Sequence, residues 1–415
     1  MSPSPRTAWI LGGIALGALF LPLPLVAIAA LGLLAASVVD ARSVRKAPRV
    51  TRSVPAIVAR GIAAELHVRA DASDGRDVRV RQAVPPDVTV DPSEAPGQLD
   101  ARVVARRRGR HLLPPVAMRS EGPLGLGRWD HATDGERQLL AYPDLPNARR
   151  LALAVRQGRF RDVGRVTRGP LGLGTDFESI RDYLPDDDIR QVNWPATARV
   201  GRPMSNQYRV EQDRDVMCVV DVGRLMAAPI EDHTRLDVAL DAVTAVAAVA
   251  NVLGDRCGAL AFDSKVLRHV RPQRAGGDDV VRALFDLEPT TADSDYELAF
   301  RRVSGAKRAL VLVLTDLLEE AAARPLVEAV PVLARRHLVV IASASDPDLD
   351  SVLTTAPSIE RDVYAAAVAL DVKGARRRVA LQLRRSGAEV VEAPPASLGA
   401  ACVGAYLAAK ARARI

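Results

Sequence analysis

From Thr7 to Val39 the chain carries no charged side chain: TAWILGGIALGALFLPLPLVAIAALGLLAASVV. The run is longer than the ~20 residues one membrane-spanning helix needs, and short for two full ones. Pro22 and Pro24 stand in its middle, where a missing N–H and a ring clash break a continuous helix. The pattern predicts a transmembrane hairpin of two short helices over residues 1–45, with the prolines at the turn; a kinked single span is the alternative. Arg42, Arg45, Lys46, Arg49 and Arg52 crowd the C-terminal flank and Arg6 the other, so the basic side and the bulk of the chain are expected in the cytosol, at the inner or plasma membrane. A cleaved signal peptide has a shorter apolar region, and arginines after it oppose translocation. Membrane lipid is therefore one expected partner.

The remaining residues change character twice. Between 46 and 146, short runs such as AELHVRA, DVRVRQAV and LDARVVARR alternate apolar with polar and are separated by Gly, Pro, Asp or Ser, which predicts an all-β sandwich. GPLGLG occurs at 122–127 and again at 169–174, read as shared turn chemistry. Residues 147–213 read as a connector. From 214 onward, continuous apolar strands (DVMCVVD, CGALAFD, ALVLVLTD, HLVVIASAS) alternate with helical patterns such as TRLDVALDAVTAVAAVANVLG. That order predicts, over 214–415, an α/β parallel sheet with helices on both faces. Asp221 and Asp316 each close a strand, at the edge where such sheets hold ligands.

Bulk properties exclude several classes. The net charge of +7 is carried by scattered arginines, with knots only at 105–110, 375–378 and the tail. No basic stripe interleaved with aromatics appears, so no nucleic-acid partner is expected. Cys218, Cys257 and Cys402 are far apart, without CxxC or zinc spacing to histidine; they read as buried thiols in a reducing compartment. No Walker A, GxSxG, HExxH or GxGxxG occurs, and no enzymatic activity is expected.

The order of strand, VVDVGRLM, long helix, strand and VLVLTD resembles a von Willebrand factor A domain. The stretch GTDFESIRDYLPDDDIRQVNWPATARVGRPMSNQYRVEQDRDV resembles the signature of the domain-of-unknown-function family 58. Phe177, Ser179, Arg181, Tyr183, Pro185, Asp187, Asp188, Arg190, Trp194, Ala198, Arg199 and Glu211 match it, while Asp186 replaces the usual glycine and Ile189 a common proline. The resemblance implies a membrane-anchored protein that works with MoxR-type AAA+ ATPases in assembly or maturation of other proteins.

Metal-binding A domains hold Mg²⁺ through D-x-S-x-S after the first strand, a threonine from a second loop and an aspartate from a third. Here the first motif reads Asp221-Val222-Gly223-Arg224-Leu225, with both serines gone. Asp316 fits the third position, and Thr290 or Thr291 the second. Two carboxylates and one hydroxyl make a poor octahedral site, so no cofactor is expected. A divalent-metal enzyme or metal-gated binding domain using Asp221, Asp316 and the 186–188 acids is the alternative function. Without a metal, Asp221 is expected to cap the following turn, pairing with Arg224. In the acidic stretch, Asp187 or Asp188 reads as the N-cap of a single helical turn that Pro195 ends at Trp194. Arg181, Arg190 and Arg199 neutralise the acids, and Tyr183 and Trp194 anchor a loop that docks on a partner.

Overall fold

The computed structural model describes residues 1–71, 78–132, 135–160, 176–184, 187, 189, 192–209, 214–305, 307–317 and 320–411. Internal contacts divide the chain into two units, Met1–Tyr142 and Pro143–Ile415.

The first unit opens with α1 (Pro5–Gly17) and α2 (Leu23–Ser43), both apolar. Ser4 caps α1 through its side chain, and Pro22 is the N-cap of α2 with Pro24 in its first turn, where proline's fixed φ and missing donor suit a helix start. The prolines therefore start the second helix. Between Ala8 and Ala36 no residue is buried. The outer ends are another matter. Ser4, Thr7, Ser37, Asp40 and Ala41 are buried against the turn at 122–127. The Leu126 carbonyl accepts from Thr7 Oγ1 at 2.6 Å and from Ser37 Oγ at 3.0 Å, so the start of α1 and the end of α2 meet at one atom.

Asp40 holds this junction. Its carboxylate, 3% exposed, accepts the backbone N–H groups of Leu124 (3.0 Å), Leu126 (2.8 Å) and Gly127 (2.9 Å). Two glycines of GPLGLG are required by proximity: a Cβ on Gly122 would sit 2.4 Å from the Asp40 carboxyl carbon, and one on Gly127 2.2 Å from the Ser37 carbonyl oxygen. The first GPLGLG copy is thus the cradle of a buried carboxylate; the second lies outside the described residues.

The rest of this unit is β. Strands Ser2–Pro3, Gly127–Ala132, Val116–Glu121, Val78–Gln82 and Glu94–Pro96 form one antiparallel sheet in that order. Arg49–Ser53, Ala64–Asp71, Gln98–Ala105 and Val88–Asp91 form a second, and Ile57–Ala59, Arg137–Tyr142 and Gly109–Leu113 a third. Buried and exposed residues alternate along the longer strands, as the pleat dictates. Leu66, Val68, Val80, Leu99, Val103, Leu113, Met118 and Leu139 make one core shared by all three sheets.

The second unit contains a six-stranded sheet: β1 (Asp215–Asp221), β2 (Arg256–Phe262), β3 (Val266–Arg274), β4 (Ala309–Leu314), β5 (Leu338–Ala344) and β6 (Ala388–Ala393). Its order is β3-β2-β1-β4-β5-β6, parallel except for β3, which runs antiparallel to β2 at one edge. All residues of β1 and β4 are buried, as strands covered on both faces require. The helices are α3 (Leu145–Arg156), α4 (Trp194–Val200), α5 (Arg235–Leu253), α6 (Gly277–Leu284), α7 (Tyr296–Ser304), α8 (Glu320–Ala334), α9 (Pro347–Thr354), α10 (Glu360–Arg385) and α11 (Pro395–Ala411). Phe300, Leu326, Val330, Leu333, Val379 and Leu383 from α7, α8 and α10 pack on Met217, Val219, Val311 and Val313. α5 is held at its start by a Thr234–Asp237 capping box and at its end by Gly254 at φ 74°. It is long and apolar enough to cross a membrane, yet mostly buried in this core.

Two ends of this unit are stitched by polar contacts. Asp144 N–H donates to Asp241 on α5 at 2.9 Å, which draws α3 into the unit although the sequence suggests a connector there. Buried Asp255 accepts from Arg214 N–H (3.0 Å), Lys410 Nζ (2.6 Å) and the Tyr406 hydroxyl, tying α11 to the sheet. The three cysteines are buried free thiols; burial pushes Cys402 up to about 12, so it is inert as a thiolate at neutral pH.

The Asp40 junction makes a direct prediction. Asp40→Ala leaves three backbone N–H groups, that of Gly127 buried, without their acceptor, an expected loss of roughly 2 to 3 kcal/mol, and Gly127→Ala forces a steric clash. Thermal unfolding in mild detergent should show both destabilised, with Val39→Ala, at an exposed neighbour, unchanged; equal melting temperatures for all three would contradict the cradle.

Candidate functional site

The carboxyl edge of the parallel sheet is where the chain order reverses between β1 and β4, the usual place for a ligand in such sheets. Asp221 ends β1 and is 1% exposed. Its Oδ1 accepts from Gly223 N–H at 2.8 Å and from the Ser294 hydroxyl. Its Oδ2 accepts from the hydroxyls of Tyr296 and Thr315, each at 2.7 Å. A Cβ on Gly223 would lie 2.1 Å from Ser294 Oγ: a serine from another loop fills the space a side chain at 223 would occupy. Burial, and then the adjacent Asp221 charge, push the Tyr296 phenol well above its usual range, so it stays a donor.

Asp316 follows Thr315 and faces different partners. Its Oδ1 accepts from Arg235 Nη1 (3.1 Å), Arg376 Nη2 (3.0 Å) and Leu317 N–H (3.0 Å). Both guanidinium groups also donate to the Ala344 carbonyl, and each reaches an outer carboxylate, Asp346 at 3.2 Å or Glu392 at 3.5 Å. Burial raises the Asp316 carboxyl against the opposing pull of the two arginines. A cavity at this edge, lined by Met226, Arg235, Asp316, Ser343 and Leu398 among others, has a volume of about 10 Å³, room for a water and not for a substrate.

The sequence-stated metal ligands fare differently from one another. Thr290 turns its hydroxyl to the Val222 carbonyl at 3.3 Å, alongside its own N–H at 2.8 Å, and so holds backbone. Asp221 accepts four neutral donors, whereas Asp316 takes the guanidinium groups on Oδ1 alone and its buried Oδ2 has no hydrogen-bond partner among the described residues. Among the described residues no group of three or more His, Cys, Asp or Glu is placed to hold a metal ion. The residues present do not fit Mg²⁺, which demands about six oxygens in near-ideal octahedral array. Arg224, expected beside Asp221, instead pairs with Asp293. Ser294, Tyr296 and Thr315 are not signalled near Asp221 because each comes from a segment distant in sequence, Tyr296 at the start of α7; the only signal was TTADSDY and LTD as hydroxyl-rich segment ends.

The acidic motif forms its own small module. Strands Asp176–Asp182 and Met204–Arg209 pair antiparallel. Arg181 clamps Asp187 in a two-pronged contact at 2.6 and 2.8 Å, the fork geometry guanidinium and carboxylate share. Leu184 N–H donates to the same carboxylate at 2.9 Å, and the Tyr183 hydroxyl to the Asp187 carbonyl at 3.0 Å. Asp187 thus staples the turn before it; the helical turn expected after it includes residues 188, 190 and 191, which lie outside the described residues. The cap of α4 is Asn193, whose side chain accepts from Ala196 N–H at 2.9 Å. Pro195 stands in the first turn of that helix, so it begins a helix where it was expected to end one. Tyr183 ties the loop down through that hydroxyl. Trp194 does not, being 68% exposed. Arg199 lies exposed in the last turn of α4, and Asp186, Asp188 and Arg190 lie outside the described residues.

Two predictions follow from these geometries. Asp221→Ala strands three hydroxyls and an amide, an expected loss of about 3 kcal/mol in denaturant unfolding, while millimolar Mg²⁺ leaves the wild-type transition where it was. Stabilisation by Mg²⁺ that disappears in Asp221→Ala would restore a metal site. The Arg181 fork, and then the Leu184 amide, hold the Asp187 carboxyl below its ordinary value of 3.8. A group depressed in the folded state lends its stabilisation above that ordinary value and loses it as pH falls through the lower, folded one. The protection of the Leu184 N–H against hydrogen exchange, relative to an unstructured amide at the same pH, is therefore expected to fall on acidification below the ordinary value, and Asp187→Asn to remove that dependence.

Comparison with known proteins places the motif in a family. The sequence pattern described as "Protein of unknown function DUF58" matches residues 179–386, half of the chain. Uncharacterized protein Mb1516 of Mycobacterium bovis and Uncharacterized proteins MT1527 and Rv1480 of Mycobacterium tuberculosis are similar to it, each 26% identical over 184 residues. That match covers 42% of this chain and 56% of each relative, so the chain spans about half the length of the curated relatives it matches. With its Arg181–Asp187 staple, Trp194 and strands β1 to β5 of the α/β sheet inside the matched span, the chain belongs to the DUF58 family of proteins of unknown function.

Proposed function

We propose that this chain is a membrane-anchored, cytosol-facing adaptor whose partner is a MoxR-type AAA+ ATPase acting in assembly or maturation of other proteins. In this reading α1 and α2 insert in the membrane as a hairpin, the three sheets of the first unit act as a β-sandwich, and the α/β unit is a von Willebrand factor A-like domain. The strand order, with one antiparallel edge strand, supports the last assignment.

The observation that carries the reading is the surface of the family motif. Leu184 (55%), Ile189 (69%), Trp194 (68%) and Val200 (52%) are exposed within one short stretch. An exposed tryptophan with aliphatic and arginine residues close by in sequence is the composition of an interface centre. The stretch offers no nucleophile and no base beside one. The AAA+ partner is carried by the resemblance of the motif.

Co-purification of the tagged full-length chain from native membranes tests it. An AAA+ ATPase retained by wild type and reduced at least about tenfold by Trp194→Ala with Ile189→Ala, the loss of one anchor pair, is the expected result. Equal recovery with both proteins, or none with either, would remove the adaptor reading.

A further inference from the structure

The exposed surface of α1 and α2 has a height that can be compared with a bilayer, and this inference rests on the membrane reading above. The 122–127 turn grips α1 at Thr7 and α2 at Ser37. From Thr7 to Gly17 an α-helix rises only about 15 Å, and from Leu23 to Ser37 about 21 Å, at 1.5 Å per residue. The hydrocarbon core of a bilayer is about 30 Å thick. Trp9, 83% exposed, stands just above the grip, at the level where indole rings settle between headgroups and chains. Arg6, Arg42, Arg45 and Lys46 are exposed around the same base, where they face anionic headgroups.

The tip has the opposite character. A turn on the far side of a membrane would meet water, yet Ala18, Leu19, Phe20 and Leu21 are all apolar, with Leu19 at 76% and Phe20 at 89% exposure. Its backbone is also short of free donors. Ala18 N–H donates to the Ala15 carbonyl, Leu19 to Leu16, and Phe20 and Leu21 both to Gly17. Leu25 and Val26 donate to Pro22. Pro22 and Pro24 have no N–H at all, which leaves Leu23 as the one donor of residues 18–26 outside these bonds. Hydrocarbon tolerates a turn only when its polar backbone is satisfied from within; here the two prolines remove donors that a helix start would otherwise expose.

We infer that the helical pair is re-entrant: it enters and leaves the same leaflet, its tip rests near the middle of the bilayer, and it does not cross. The occupant of its exposed apolar surface is lipid hydrocarbon, and both flanks lie on one side of the membrane.

Cysteine labelling of the full chain in sealed right-side-out and inverted vesicles tests the inference, because Cys218, Cys257 and Cys402 are buried and give a low background. Ser43→Cys reports the side of the β-rich unit, and Phe20→Cys reports the tip. With a membrane-impermeant maleimide, Phe20→Cys is expected to stay at background from both sides and to react fully once detergent is added. Adding seven residues of a Leu/Ala repeat to each helix, about 10 Å, should bring Phe20→Cys within reach from the side opposite Ser43→Cys. Labelling of the unextended Phe20→Cys from that opposite side would mean the hairpin crosses and would overturn the inference. Labelling from the same side as Ser43→Cys would mean the helices are not inserted, and the membrane reading itself would fall.

Discussion

A carboxylate leaves water only when the protein replaces what water gave it, and this chain meets that constraint repeatedly. Asp40 is met by three backbone amides, Asp221 by three hydroxyls and an amide, Asp316 by two guanidinium groups, and Asp255 by a lysine, a tyrosine and an amide. An unpaired charge in such places costs several kcal/mol, so the donors have to be present whenever the fold is. Because the donors come from segments distant in sequence, each buried aspartate fixes where loops and helix ends converge. The glycines of the 122–127 turn and Gly223 follow from this: backbone or a foreign hydroxyl has to approach where a Cβ would stand.

The same constraint explains why the carboxyl edge of the sheet is quiet. In a parallel α/β sheet this edge gathers helix N-termini and strand ends, and an outside ligand normally uses them. Here Arg235 at the start of α5 and Arg376 on α10 supply positive charge from within, and Ser294 supplies the hydroxyl that Gly223 cannot. Most of the edge's polar atoms are met from within, Asp316 Oδ2 being an exception. In the motif module, by contrast, Trp194 and Ile189 are solvated at a visible cost in exposed apolar area.

Much of the architecture was legible because it rests on periodicity. Uninterrupted apolar strands separated by helical repeats dictate a parallel sheet, and the start of α5 at a Thr–Asp box and its end at Gly254 are local signals written in adjacent residues. The alternation in AELHVRAD likewise reads directly as a strand with one buried face. What was not legible depends on contacts between distant segments. Nothing around Asp40 announces that a glycine-rich turn more than eighty residues away will cradle it, and nothing near Asp221 names Ser294 or Tyr296. Pro195 misled for a related reason. Its effect on the preceding residue is a bias, and Asn193, by capping the chain just ahead of it, decides that a helix begins there.

The Asp40 junction also has a mechanical meaning. Three charge-assisted bonds to consecutive stretches of one turn, with the hydroxyls of Thr7 and Ser37 on a fourth backbone group, leave no rotatable link between the helical pair and the sheet that carries residues 127–132. A glycine-serine tether would let the first unit swivel like a float on a line. This junction behaves as a welded post: any tilt of the two helices is transmitted as an equal tilt of the sheets above them.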